Sequence, residues 1–236
     1  MPALLTTLKN YLSLIKFSHT IFALPFALVG YFLGKQQSDA NPKWEILIAV
    51  IFCMVFARSA AMAFNRYIDE KFDKLNPRTA VREIPAGIVQ KSHALWFVII
   101  NCLLFVVTTY FINALCFYLS PVALFVILFY SYTKRFTPLC HLVLGLGLSL
   151  APVGAYLAVV GHFDTIPLLF SAIVFTWVSG FDILYALQDE AFDKANHLKS
   201  IPVLLGRHRA MYFSRFLHFI TASIVVFIGL YHLPTV

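Results

Sequence analysis

The chain has 236 residues, of which 60% are hydrophobic and 12% charged, where an ordinary soluble domain carries about 25% charge. With a mean hydropathy of +0.80, this excludes a disordered chain and a water-soluble globule, and it fits a polytopic helical membrane protein. The net charge of +7 does not point to nucleic acid, because the basic residues lie between apolar runs, where membrane topology places them.

In chain order the apolar runs predict seven membrane spans, at about 17–34, 45–65, 94–113, 115–132, 140–160, 166–186 and 210–232. Lys9 and Lys16 precede the first run, which is longer than a signal-peptide core and lacks a small-residue cleavage pattern, so it reads as an uncleaved first span. The connections after the second and sixth spans are long, polar and basic. Fifteen Lys and Arg residues fall on the side of the N-terminus and these connections, and Lys35 and Lys43 on the other, with Arg58 inside a span. This asymmetry predicts that the N-terminus and the basic loops face the cytoplasm, and the chain is expected to be an integral protein of a bacterial inner membrane. Cys53, Cys102, Cys116 and Cys140 are scattered without a CxxC pair and read as apolar packing residues. The eight histidines show no metal-binding spacing and read mostly as loop or interfacial residues. In the fifth span, Gly145, Gly147, Ala151, Pro152 and Gly154 predict either close helix packing or a widened cavity.

Two polar segments match each other. D-E-K-F-D-K-L-N, Asp69 to Asn76, and D-E-A-F-D-K-A-N, Asp189 to Asn196, share six of eight positions 120 residues apart, and each is followed by an Ile-Pro pair. The chain therefore reads as one transmembrane domain, 1–236, containing an internal duplication. At helical spacing Arg58, Asn65, Asp69 and Asp73 share one stripe, and Asp182, Asp189 and Asp193 share another with Tyr185 beside it. Like charges at i and i+4 oppose a helix by about 0.2–0.5 kcal/mol per pair, so a positive partner is expected. Either the neighbouring Lys and Arg or divalent cations supply it; the plain alternative is a pair of solvated helix ends bridged to Lys71, Lys74 and Lys194.

Mg²⁺ is held by one or two carboxylates together with substrate phosphates. Paired carboxylates ringed by Arg and Lys beside an apolar bundle therefore fit a lipid diphosphate, and the metal would draw charge from its leaving group. N-R-Y-I-D-E-K-F-D (Asn65–Asp73) and Y-A-L-Q-D-E-A-F-D (Tyr185–Asp193) resemble the NDxxDxxxD and YxxxDxxxD motifs of the UbiA superfamily of intramembrane aromatic prenyltransferases. N-P-R-T-A-V-R-E-I-P-A-G (Asn76–Gly87) and Y-S-Y-T-K-R (Tyr130–Arg135) resemble its basic loops. The resemblance implies an all-α bundle and Mg²⁺-dependent transfer of a polyprenyl group from its diphosphate to an aromatic acid acceptor, in ubiquinone or menaquinone synthesis, with the active site facing the cytoplasm. It implies Asn65, Asp69, Asp73, Asp189 and Asp193 as metal-binding residues, the four acids also being catalytic. For the diphosphate it implies Asn65, Arg66, Arg78, Arg82, Lys134, Arg135 and Lys199. Arg58, Asp182 and Tyr185 are candidates for contact with the acceptor or with the allylic cation, Arg58 and Asp182 being equally readable as a buried structural pair.

Arg66 stands where the family motif often has a second acid, which resembles the 4-hydroxybenzoate polyprenyltransferase-like branch. Part of that branch implies 1,4-dihydroxy-6-naphthoate as the acceptor. The family usually has nine helices, so seven spans imply that the C-terminal pair is missing. Rival readings are another lipid phosphotransferase, whose Gly-rich motifs are absent here, and a membrane transporter using Arg58 and Asp182 as an ion path.

Overall fold

The computed structural model describes residues 2–38 and 44–231, with side chains described for these except 2–4 and 17–22. Lys43 of the expected charge asymmetry, and residue 232 at the end of the seventh expected span, lie outside the described residues. The regular elements are all helices: α1 (Pro2–Leu14), α2 (Phe17–Gln37), α3 (Trp44–Leu75), α4 (Lys91–Ile112), α5 (Ala114–Thr133), α6 (Cys140–Val160), α7 (Thr165–Ala186), α8 (Glu190–Ala195), α9 (Ile201–Leu205) and α10 (Arg207–Tyr231). Six of them, α3 to α7 and α10, are long and apolar enough to cross a membrane. The first expected span coincides with α2.

Helix ends follow the local chemistry. Asn113 caps α5 by accepting from the Cys116 amide at 2.8 Å, and Ser200 caps α9. Gly161, at φ 73°, closes α6 in the left-handed conformation that glycine adopts without strain. Residues 2–14, not anticipated as an element, form α1, whose Leu14 and Ile15 end buries against α3, α4 and the loop at Ile84 and Val89.

α3 decides where the first acidic motif lies. Its 32 residues reach about 48 Å at a 1.5 Å rise per residue, against about 30 Å of hydrocarbon. A span begun at Trp44 uses about 20 residues, so the helix from Asn65 onward stands clear of the apolar layer. It continues because no Gly or Pro interrupts it before Pro77, and because Lys74 donates to Glu70 at 2.7 Å.

The second motif differs. α7 ends at Ala186 in tightened i to i−3 turns, with Gln188 N bonded to Tyr185 O at 3.3 Å and Asp189 N to Ala186 O at 3.0 Å, before α8 restarts at Glu190. The expectation of a single helical stripe through Asp182, Asp189 and Asp193 is therefore corrected: a helix break separates Asp182 from the other two.

α6 is the most enclosed span, packing against α2, α5 and α7. Glycine makes the closest approaches: a Cβ at Gly30 would lie 1.9 Å from the Pro152 carbonyl oxygen, and one at Gly145 2.7 Å from the Phe175 carbonyl oxygen. α10 covers α7, with Ser214 Oγ donating to Gly180 O at 2.7 Å. At the end opposite the acids, Gln37 Nε2 donates to Asp164 at 2.7 Å and Tyr156 OH donates to Gln37. This ties α2 and α6 to the start of α7.

Candidate active site

Four motif acids and four cations meet at one end of the bundle. On α3, Asp69 accepts from Arg135 Nη2 at 2.9 Å and from Asn65 Nδ2 at 3.1 Å. One turn later Asp73 takes Arg82 Nη1 on both oxygens, at 2.7 and 2.9 Å. Asp189, in the turn before α8, accepts from Arg78 Nε at 3.1 Å and from Arg78 Nη2 in a two-pronged pair. On α8, Asp193 lies 2.8 Å from Lys134 Nζ.

Two of the four pairs, Arg78–Asp189 and Lys134–Asp193, cross between the two halves of the duplication. Arg78 follows the first motif in the chain but grips the second. Adjacent Lys134 and Arg135, just after α5, divide between Asp193 and Asp69. The loop from Asn76 to Val89 is a run of turns rather than a flexible connection: Thr79 Oγ1 donates to Asp73 O at 3.1 Å, and the Arg78 amide donates to Asn76 Oδ1 at 3.0 Å. That turn sends Arg78 and Arg82 to different acids. Lys71 and Lys194 take no part, and Lys74 pairs with Glu70.

The inner acid of each motif is the more enclosed, Asp73 at 6% and Asp193 at 0% exposure. Burial pushes the Asp193 carboxyl up from its ordinary value, and Lys134 draws it back in part. Neither Asp193 oxygen has a directed hydrogen bond. A buried carboxylate with one ion-pair partner and no hydrogen bond has room in its bonding for a cation. Burial opposes the charge of Arg78, but the Asp189 carboxylate outweighs it and holds the guanidinium above its ordinary value. Among the described residues, no three Asp, Glu, His or Cys side chains cluster tightly enough to hold an ion unaided. An ion held here would need oxygens from a ligand or water besides these side chains.

Within the bundle an apolar cavity of about 340 Å³ lies between α2, α3, α4, α5 and α6. Arg58 and Tyr130 line it, and Cys116, Ala158 and Phe163 line its far portion. Gly147 and Gly154 line it too, whereas Gly145 serves helix contact, so the small residues of α6 divide between the two expected roles. Tyr130 lies close enough to feel the charges of Arg58, Asp69 and Asp182.

The UbiA prenyltransferase family profile matches residues 23–236. The chain belongs to the UbiA prenyltransferase family. It is 34% identical over 173 residues to a 4-hydroxybenzoate octaprenyltransferase of Aliivibrio fischeri, covering 72% of this chain and 60% of that relative. It is 31% identical over 201 residues to one of Neisseria meningitidis, covering 85% and 68%. The chain thus spans about 60% of the length of the Aliivibrio relative it matches. Among solved structures, an apo UbiA homologue from Aeropyrum pernix superposes with a TM-score of 0.84 at 32% identity, over 92% of this chain and 81% of that one. A UbiA homologue from Archaeoglobus fulgidus, solved with GPP and Mg²⁺, shares the fold at a TM-score of 0.76 and 22% identity, over 95% and 79%.

Within this UbiA bundle, two expected diphosphate contacts point elsewhere. Arg66 is buried at 3% exposure and faces Glu83 at 3.8 Å, and Glu83 in turn accepts from Ser13 Oγ. Placed one residue after Asn65, Arg66 falls on a different face of α3 and ties that helix to α1 and the loop. Lys199 Nζ donates to Phe136 O at 3.1 Å and its amide donates to Lys134 O at 2.7 Å, so it holds the segment that carries Lys134. Tyr185 braces Arg78, its OH 3.4 Å from Nη1 and its ring 5.6 Å beneath the guanidinium. Arg58 Nε is buried without a partner among the described residues. Asp182 does not face Arg58 as a buried pair; it meets His141 Nδ1 at 2.7 Å.

Three site neighbours escaped the sequence reading. Asn76 donates to Asp189 Oδ1 at 3.2 Å, a link foreshadowed by its place as the last residue of the repeated octet. Glu83 carried no motif signal. His141 is buried in α6 at 3% exposure, an exception among histidines expected mostly in loops or at the interface. A single histidine in an apolar run gives no spacing to read.

Proposed function

We propose that this chain transfers a polyprenyl group from a polyprenyl diphosphate to the ring of an aromatic acid in quinone synthesis. The observation that carries the reading is the set of four acid–cation pairs gathered at one end of a bundle that encloses an apolar cavity. The same residues can exchange partners. Asp69 and Asp73 with Asn65, and Asp189 with Asp193, would hold Mg²⁺, while Arg78, Arg82, Lys134 and Arg135, freed from them, would take diphosphate oxygens. Arg suits the phosphates through its paired donors. Bound Mg²⁺ supplies positive charge that stabilises the diphosphate as it leaves.

The cavity wall is apolar and would hold the prenyl tail away from water. The allylic carbon–oxygen bond breaks, its electron pair leaves with the diphosphate, and the ring carbon beside the acceptor's hydroxyl bonds to the allylic carbon. The proton on that ring carbon then passes to the departed diphosphate or to water. Arg58, whose buried Nε has no partner among the described residues, would take the acceptor's carboxylate, and Asp182 its hydroxyl. The relatives' names favour 4-hydroxybenzoate; the same chemistry on 1,4-dihydroxy-6-naphthoate is the second acceptor to test. We place the chain in a bacterial inner membrane, and the distribution of Lys and Arg supports an orientation with the acidic end toward the cytoplasm.

The test is prenyl transfer in membranes carrying the chain, with Mg²⁺, geranyl diphosphate and either acceptor. Product with one acceptor, lost on chelation and in Asp69→Ala and Asp189→Ala, is expected. Failure of the chain to bind geranyl diphosphate with Mg²⁺ would overturn the reading.

A further inference from the structure

His141 opens α6 beside Cys140, and Asp182 lies in the last turns of α7. Their contact depends on a close crossing of the two helices. One turn after His141, Gly145 packs against Phe175 O and Ser179, and Ser179 is three residues before Asp182. The crossing thus brings the imidazole Nδ1 to 2.7 Å from Asp182 Oδ2.

The two side chains differ in exposure. His141 is 3% exposed and Asp182 30%. The contact with His141 uses Asp182 Oδ2, and no described contact engages Oδ1 of this partly exposed side chain. His141 Nε2 is buried and unpartnered. A side chain present only to fill the α6–α7 contact would be apolar; an imidazole with one orphaned nitrogen carries a desolvation penalty, and the contact it gains in return is the one with Asp182. A carboxylate held through one oxygen and open at the other has its second lone-pair direction fixed. The N-terminal end of α6, on which His141 sits, adds a positive partial charge on the same side.

We propose that His141 is a positioning residue: its Nδ1–H fixes Oδ2 of Asp182 so that Oδ1 is aimed at the hydroxyl of the aromatic acceptor. This rests on the acceptor contact proposed above for Asp182. An O–H donating to a fixed carboxylate leaves more electron density on the ring, where the new carbon–carbon bond forms. His141 therefore contributes to selection of hydroxylated acceptors over ring acids that lack the hydroxyl, without touching either substrate.

The experiment uses the full chain in detergent, with geranyl diphosphate, Mg²⁺, 4-hydroxybenzoate and benzoate. His141→Asn keeps a donor near the Nδ1 position, and His141→Leu removes it. In His141→Leu, kcat is expected to fall about tenfold to a hundredfold, as for loss of a hydrogen bond to a charged group, with KM for geranyl diphosphate unchanged. His141→Asn recovers most of this. The effect of His141→Leu disappears in an Asp182→Asn background. Binding preference for 4-hydroxybenzoate over benzoate, measured without turnover, falls toward unity in His141→Leu. Equal loss in both His141 variants, including failure of both to fold, would overturn the proposal. So would an unchanged preference, or additive effects with Asp182→Asn. A wild type that binds no geranyl diphosphate refutes the function reading instead, and the acceptor-binding preference still decides the role of His141.

Discussion

Gly145→Ala tests the crossing on which the acidic end is built. The added Cβ would lie 2.1 Å from Ser179 Oγ and 2.7 Å from the Phe175 carbonyl oxygen. The hydroxyl can rotate, but the carbonyl belongs to the α7 backbone. To reach ordinary contact at 3.4 Å, α6 and α7 must separate locally by about 0.7 Å. Overpacking of this kind costs about 1–3 kcal/mol, which for a chain of this size lowers the thermal midpoint by about 2–12 °C. The same shift would stretch the 2.7 Å His141–Asp182 contact to about 3.4 Å, beyond the usual hydrogen-bond range. Thermal unfolding in detergent and prenyl transfer should therefore both suffer. Ser179→Ala separates the two obstacles. Its Oγ is buried without a partner, so its removal alone should be nearly neutral. In that background Gly145→Ala should cost less but still something, because the Phe175 carbonyl remains. If Gly145→Ala kept both the wild-type midpoint and the wild-type turnover, α6 and α7 would have slack at this point and the packing argument would be wrong.

Arg78→Ala should weaken Mg²⁺-dependent binding of geranyl diphosphate about tenfold or more, and Arg78→Lys should restore less than half of that in free energy, because a point charge cannot reproduce the fork that Arg78 presents to Asp189; titration of the diphosphate onto purified variants checks this. Gly154 lines the cavity, and nothing lies within 4 Å of the site of its missing Cβ. Gly154→Phe should therefore shorten the longest prenyl diphosphate the chain accepts while leaving geranyl diphosphate a substrate, read as product length by mass spectrometry. At the opposite end, the Gln37 amide and the Thr165 and Ile166 backbone amides hold the Asp164 carboxyl below its ordinary value. A carboxyl lowered in the folded state stabilises above its unfolded pKa and loses that contribution as pH falls through its folded value. Asp164→Ala should cost about 1 kcal/mol near neutrality, as for loss of a helix cap, and the difference from wild type should shrink as pH falls below about 4. A difference that grew on acidification would refute the assignment.

The sequence by itself determined the class of this molecule. Apolar runs of bilayer length cannot be hidden in a soluble globule, so spans and helical architecture followed from composition and period. The acidic motifs were legible because carboxylates near a bilayer are costly and their repetition at Asp69–Asn76 and Asp189–Asn196 stands out against apolar surroundings. Candidate cations were legible only as a wider group, because topology alone also gathers Lys and Arg on that side, and the group included Arg66 and Lys199, which meet other partners. Their assignment was decided by tertiary structure. Lys134 and Arg135 are neighbours in the chain yet serve different motifs, and Arg66 adjoins Asn65 yet faces Glu83, because which acid a cation meets depends on packing between distant helices. The break between Asp182 and Asp189 was hidden for a related reason: an i to i−3 turn preserves helix-like spacing in sequence while it redirects the side chains. His141 was the least visible of all. One imidazole in an apolar run carries no pattern, and its meaning arises from the glycine-permitted approach of α6 to α7 that sets it against Asp182.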